Sequence, residues 1–229
     1  MKLKVCGMKY VKNIQEVADL QPDYLGFIFY EKSKRNFEGI IPELPKSIKK
    51  TGVFVNELPE IVISLVEEYA LDAIQLHGDE PVAYISKLKQ QLAERRTLFL
   101  EENTQIKKKK NRHVVSDKPI EIIKVFGIKD EFNFEILQPY LEFVDYFLFD
   151  TKGKERGGNG VSFDWSILAQ YPFKKPFFLS GGIGLENLKE VQKIMNSNLP
   201  IYALDINSKV EITPGLKNIE EVKIFKNTL

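Results

Sequence analysis

Eight short apolar runs recur along the chain, each parted from the next by a longer segment. The runs are LKVC at 3–6, YLGFIF at 24–29, TGVFV at 51–55, AIQL at 73–76, EIIKVF at 121–126, YFLFD at 146–150, FFLS at 177–180 and YALDI at 202–206. They have strand length and are continuous rather than alternating in polarity, the pattern of parallel strands covered on both faces. The segments between them carry a helical period. VKNIQEVADL places Val11, Ile14, Val17 and Ala18 on one face, LPEIVISLVEEYA groups Ile61, Leu65 and Val66, and LENLKEVQKIM groups Leu185, Leu188, Val191 and Ile194. Strict β-then-α alternation calls for parallel strands joined by crossover helices. Eight such units close into a (β/α)8 or TIM barrel, and 229 residues, 43% of them hydrophobic, supply the core for one. The competing architecture, an open doubly wound sheet, is usually announced by a glycine fingerprint after the first strand. CGMKYVKN has one glycine there instead of three. The expectation is an α/β single-domain barrel over residues 1–229.

One stretch breaks the rhythm. Residues 92–118, LAERRTLFLEENTQIKKKKNRHVVSDK, exceed what a crossover helix needs and include Lys107 to Lys110 in a row. The segment reads as an insertion. Four lysines on a solvated loop or helix extension are the simpler reading, and a polyphosphate or nucleic-acid contact the other. The formal net charge of +1 gives no global field toward nucleic acid or a membrane surface. No run of 18 apolar residues occurs and the first residues lack a secretory apolar stretch, so a cytoplasmic protein without membrane contact is expected. Its single cysteine cannot form an internal disulfide and fits a reducing compartment.

In a barrel of this kind the active site is built from the loops after the strands. Cys6 and Gly7 stand after the first run, Arg35 in the loop after the second, and His77 after the fourth. Asp150 ends the sixth run and opens the glycine-rich loop DTKGKERGGNG. SGGIG follows the seventh run and DINS ends the eighth, bringing Gly181, Gly182, Asp205, Asn207 and Ser208. A double glycine before a helix start suits phosphate, since backbone N–H groups approach the anion closely there. A thiol and a carboxyl facing each other across a mouth make a plausible base and acid, although a buried cysteine is more often an inert small hydrophobe. A covalent nucleophile would want a basic partner, and His77 is the candidate. His77 otherwise reads as a satisfied strand-end residue, Arg35 as a surface ion pair, and Asp205 as an orienter of backbone or substrate hydroxyls. Trp165 reads as core at a helix start capped by Asp164 or Ser162, and Asp79 as an N-cap. The two histidines lie far apart in the sequence, so no metal-ligand spacing is present.

KVCGMK, GFIFYEKSKR, GVFVN, QLHGDE, FDTKGKERGGNGVSFDW, FLSGGIGLENL and LDINSKVEITPGLKN resemble, in order, the signature segments of the phosphoribosylanthranilate isomerase family. The resemblance runs from about residue 3 to 225 and leaves out only the lysine-rich stretch. It implies a (β/α)8 barrel and an Amadori rearrangement in tryptophan biosynthesis, with no cofactor and no metal. By the same resemblance Cys6 is the general base, Asp150 the general acid and Arg35 the holder of the anthranilate carboxylate. Gly181, Gly182, Asn207 and Ser208 hold the phosphate. The expected partner is a small phosphorylated substrate, and the chain is expected to be a monomer or a homodimer. Two positions depart from the family pattern: Lys209 replaces a glycine and Lys34 a proline. Lys209 would either clash with a left-handed backbone or add charge beside the phosphate. A related aminosugar isomerase of the histidine pathway would carry aspartate at Cys6, and a noncatalytic barrel has no need of an intact acid and base.

Overall fold

The computed structural model describes residues 1–105, 119–129, 131–151 and 164–229. Eight parallel strands close into a barrel in sequence order: β1 (Lys2–Val5), β2 (Tyr24–Phe29), β3 (Lys49–Phe54), β4 (Ala73–Leu76), β5 (Glu121–Ile128), β6 (Tyr146–Thr151), β7 (Phe177–Leu179) and β8 (Ile201–Ile206). Closure is made by β1 against β8, in the register Lys2 with Ala203 through Val5 with Ile206. Successive side chains of a strand point to opposite faces, and here both faces are covered. Tyr24, Ile123, Leu148 and Phe178 fill the barrel interior, with Tyr146 and Tyr202 packed against them. Leu3, Phe27, Ile74, Phe147 and Leu204 point outward into the layer under the helices. Two buried faces are why the strands read as unbroken apolar runs.

Among the described residues five α-helices surround the barrel: α1 (Val11–Asp19), α2 (Pro59–Tyr69), α3 (Val82–Gln105), α4 (Leu188–Met195) and α5 (Ile219–Thr228). The alternation is less strict than the sequence pattern suggested. Residues 30–48, between β2 and β3, contain no helix. Gly39, Pro42 and Pro45 interrupt that segment, and proline removes an N–H and disfavours helix in the residue before it. Among the described residues, the connections after β5 and β6 carry 3-10 turns, Phe134–Tyr140 and Trp165–Gln170, and no α-helix. Pro139 lies inside the first of these, and Asp164 caps the second by accepting the Ser166 N–H, with Trp165 in the core.

The face expected of α1 is buried except for its first residue, and that of α2 is rotated. In α1 the buried residues are Asn13, Ile14, Val17 and Ala18, while Val11 is exposed. In α2 they are Pro59, Val62, Ile63 and Val66, while Ile61 is exposed and Leu65 only partly buried. Residues 61–63 are apolar in succession, so periodicity cannot choose among them; the helix start at Pro59 does. In α4 Val191 is fully buried and Leu188 and Ile194 pack against the core as expected, as does Leu185 in the 3-10 turn Leu185–Asn187 before it. Asp79 is not the cap of α3. That helix begins at Val82, and Glu80 takes the nearby loop amides of Asn56 and Gly78. α3 continues to Gln105, into the insertion-like stretch, and Lys107 to Lys110 lie outside the described residues. A small antiparallel hairpin, β9 (Glu211–Thr213) and β10 (Leu216–Lys217), sits between β8 and α5. No described helix is long and apolar enough to cross a membrane.

Candidate active site

Cys6, Arg35, His77, Asp150, Gly181, Gly182, Asp205, Asn207 and Ser208 all line one cleft at the C-terminal ends of the strands. The cleft is open to solvent and spans about 760 Å³. The strand ends and the loops directly after them deliver these residues.

Cys6 follows β1 directly, its N–H donating to the Ile206 carbonyl at 2.9 Å. The sulfur is buried, and Gly26 on β2 makes room for it: a Cβ there would lie 2.7 Å from Sγ. Beneath it lies Lys4, two residues earlier on the same inward face of β1. Lys4 Nζ donates to both oxygens of Asp205 at 2.9 Å, and both residues are buried. Burial pulls the Lys4 ammonium down, but attraction to Asp205 and Cys6 outweighs it and the net shift is upward. Burial pushes the Cys6 thiol up; Lys4 and Lys217 pull against it and Asp205 adds to it. Asp205 is itself pushed up, first by burial and then by Asp150 across the mouth, against the pull of Lys4 and His77. The thiol therefore sits over a buried ion pair, a setting that the sequence signalled only by a charged residue inside an apolar strand.

Asp150, near the end of β6, accepts the Thr151 N–H at Oδ1 (2.8 Å). Its Oδ2 lies 3.4 Å from His77 Nε2, and His77 Nδ1 lies 3.2 Å from Gln75 Nε2. Gln75 Oε1 is buried with no hydrogen-bond partner among the described residues. It belongs to the cleft and was not singled out in the sequence, although a glutamine within AIQL is the polar exception in a buried strand. Gly181 is left-handed (φ +90°), and a Cβ there would lie 2.7 Å from Thr151 N, so the double-glycine loop packs directly on the strand end that carries Asp150. Asn187 ties this loop from behind, donating to the Gly182 carbonyl (2.8 Å) and accepting the Gly184 N–H (3.0 Å).

Arg35 is gripped by a residue that the sequence did not point to. Nε donates to both oxygens of Glu211 (2.9 and 3.0 Å) and Nη2 to Oε2 (2.7 Å). Gly7, at φ +75°, lies below: a Cβ there would meet Asn207 Oδ1 at 2.6 Å and Arg35 Cδ at 2.8 Å. Lys209 lines the cleft, pairs with Glu186, and lies in the 3-10 turn Ser208–Val210 without a positive φ. The backbone clash considered for it is therefore absent.

A closed parallel barrel with a polar cleft formed by its strand ends defines the class, a (β/α)8-barrel enzyme. The family model described as N-(5'-phosphoribosyl)anthranilate (PRA) isomerase matches residues 3–120 and 105–228, and the chain belongs to that family. An N-(5'-phosphoribosyl)anthranilate isomerase of Parabacteroides distasonis is 39% identical over 232 residues, covering 98% of this chain and 91% of its own. The crystal structure of phosphoribosyl anthranilate isomerase from Thermotoga maritima superposes with a TM-score of 0.74 at 31% identity, covering 100% of this chain and 98% of that one. A phosphoribosyl anthranilate isomerase structure in complex with reduced 1-(o-carboxyphenylamino)-1-deoxyribulose 5-phosphate superposes with a TM-score of 0.70 at 29% identity, covering 100% and 97%.

Proposed function

We propose that this chain catalyses the Amadori rearrangement of N-(5-phosphoribosyl)anthranilate to 1-(2-carboxyphenylamino)-1-deoxyribulose 5-phosphate, with Asp150 as acid and Cys6 as base. It is an isomerase of tryptophan biosynthesis by its family. The observation that carries the assignment of roles is that Cys6 and Asp150 open into one cleft together with the glycine loop and Arg35.

In this reading Asp150, in its acid form, gives its proton to the ribose ring oxygen. The C1–O bond breaks and the anilino nitrogen lone pair forms a C1–N iminium. The Cys6 thiolate then removes the C2 proton, and the C2–H electrons make a C1–C2 double bond as the nitrogen is neutralised. The enolamine becomes the ketone when C1 gains a proton and the C2 hydroxyl loses one. Cys6 and Asp150 are reset through solvent. A thiolate in this buried position is costly, and the Lys4 charge below and the transient iminium beside it lower that cost. Arg35 holds the anthranilate carboxylate, and the loops of Gly181, Gly182, Asn207 and Ser208 hold the phosphate. Asp205 keeps Lys4 in place, and His77 orients Asp150. A monomer or a homodimer is part of the same proposal. A cytoplasmic site and a phosphorylated small-molecule substrate belong to the same proposal.

The test follows substrate fluorescence during turnover, with EDTA present. Turnover in EDTA is expected for wild type, with about 100- to 10,000-fold losses of kcat for Cys6→Ala and for Asp150→Asn. Near-normal kcat in either folded variant refutes that residue's role, and a strict need for a divalent ion refutes the mechanism.

A further inference from the structure

Glu211 stands outside the chemistry above, yet it is a heavily engaged carboxylate. Its side chain is 4% exposed. It accepts three hydrogen bonds from Arg35, one from Lys217 Nζ (2.7 Å) and one from the Gly215 N–H (3.0 Å). Lys217, fully buried, also donates to the carbonyl (3.2 Å) and side-chain oxygen (2.7 Å) of Asn207. The strand that presents Lys217 is pinned in turn by Asn13 of α1. That side chain donates to the Lys217 carbonyl (3.0 Å) and accepts its N–H (2.7 Å). The β9–β10 hairpin is thus held rigidly, and through Glu211 and Lys217 it reaches Arg35 on one side and Asn207 on the other.

A guanidinium has five N–H donors in a fixed plane. Glu211 takes the Nε–H and one Nη2–H, leaving Nη1 and the second Nη2–H unengaged among the described residues. The held edge fixes the plane, and the free donors belong to a residue lining the cleft. A buried carboxylate between two cations leaves the cluster with one net positive charge, the complement of a single carboxylate.

We infer that Glu211 is a positioning residue for carboxylate recognition: it orients Arg35 toward the aromatic carboxylate of the substrate, and Lys217 supports it while fixing Asn207 of the phosphate loop. The inference rests on the carboxylate role of Arg35 proposed above.

The experiment compares two competitive inhibitors, reduced 1-(2-carboxyphenylamino)-1-deoxyribulose 5-phosphate and its phenylamino counterpart lacking the carboxylate. They are tested against wild type, Arg35→Ala, Glu211→Gln and Glu211→Asp, with thermal melts on each. Glu211→Gln is expected to weaken the carboxylated inhibitor about 10- to 100-fold, the worth of a charge-assisted hydrogen bond, and to raise KM alike. The phenylamino inhibitor and kcat should stay within about 3-fold, as for loss of a contact made equally in ground and transition states. Glu211→Asp, shorter by one methylene, should discriminate in the same direction, and it carries the test if Glu211→Gln does not fold. Equal weakening of both inhibitors, or no weakening of either, overturns the inference while Arg35→Ala still discriminates. If Arg35→Ala itself fails to discriminate, the carboxylate reading of Arg35 falls, and the inference with it.

Discussion

Cys6 is the single cysteine of the chain, so its titration is readable without background. Burial raises its pKa, which puts thiolate formation at higher pH than for an ordinary thiol. Because Lys4 lowers it, removing Lys4 must move the titration further up. The rate of iodoacetamide alkylation against pH is expected to rise above the ordinary thiol range in wild type, and at still higher pH in Lys4→Met. A Lys4→Met curve at or below the wild-type one would mean that Lys4 does not act on the thiol. At this scale the sequence was informative about position and silent about partners. Cys6, His77 and Asp150 were legible because each stands at or next to the end of an apolar run, and Arg35 because its loop follows one, a property of nearby residues. Glu211 and Lys217 were not, because they lie on a hairpin beyond the last strand, where nothing local distinguishes them from surface charges. Lys4 and Gln75 left a weak trace as polar residues within buried strands.

At the scale of elements, loops are set by a few buried polar anchors. Lys124 on β5 donates to the Gly78 carbonyl (2.8 Å) and pairs with Glu80 (3.1 Å), while Glu80 also takes the Asn56 and Gly78 amides. This anchor holds the loops after β3 and β4, next to His77. Lys124→Met leaves Glu80 buried without its cation and is expected to cost about 3–5 kcal/mol, measured by urea denaturation. A loss below about 1 kcal/mol would show that the loop amides alone satisfy Glu80. The hairpin makes a second, pH-dependent prediction. Burial draws Lys217 down to about 8 against the opposing pull of Glu211, with Cys6 also facing it and Arg35 repelling it. Raising the pH through 8 removes its charge, so KM should climb above pH 8, and Lys217→Arg should abolish that limb. The sign for folding is opposite: between about 8 and the ordinary lysine value the unfolded chain binds the extra proton, so this residue's contribution to stability rises with pH. Helix faces were only partly legible, as Ile61 demonstrates, since three apolar residues in succession leave the rotation of a helix to its packing.

For the whole molecule, the barrel is a filled core. Phe178 is fully buried at its centre, with ring centroids 5.4 Å from Tyr24, 5.4 Å from Tyr146 and 5.5 Å from Tyr202. Phe178→Ala is expected to cost about 3–5 kcal/mol in urea unfolding, and a loss under about 1 kcal/mol would mean that the interior collapses to fill the gap. The closed barrel was legible from the sequence because strand length, two-faced burial and connection length are all written in neighbouring residues. So was the gathering of the candidate site at one end, since parallel strands bring all their C-terminal ends to one face. The form of each crossover was not: no helix forms over residues 30–48, and among the described residues two more connections carry 3-10 turns. Side-chain partnerships belonged to the tertiary structure alone. Lys4 and Asp205 are 201 residues apart, and Arg35 and Glu211 are 176 apart. Only barrel closure, strand register and the pinned hairpin bring such charges to hydrogen-bonding distance, because a contact between them is a fact of three-dimensional geometry with no periodic signature along the chain.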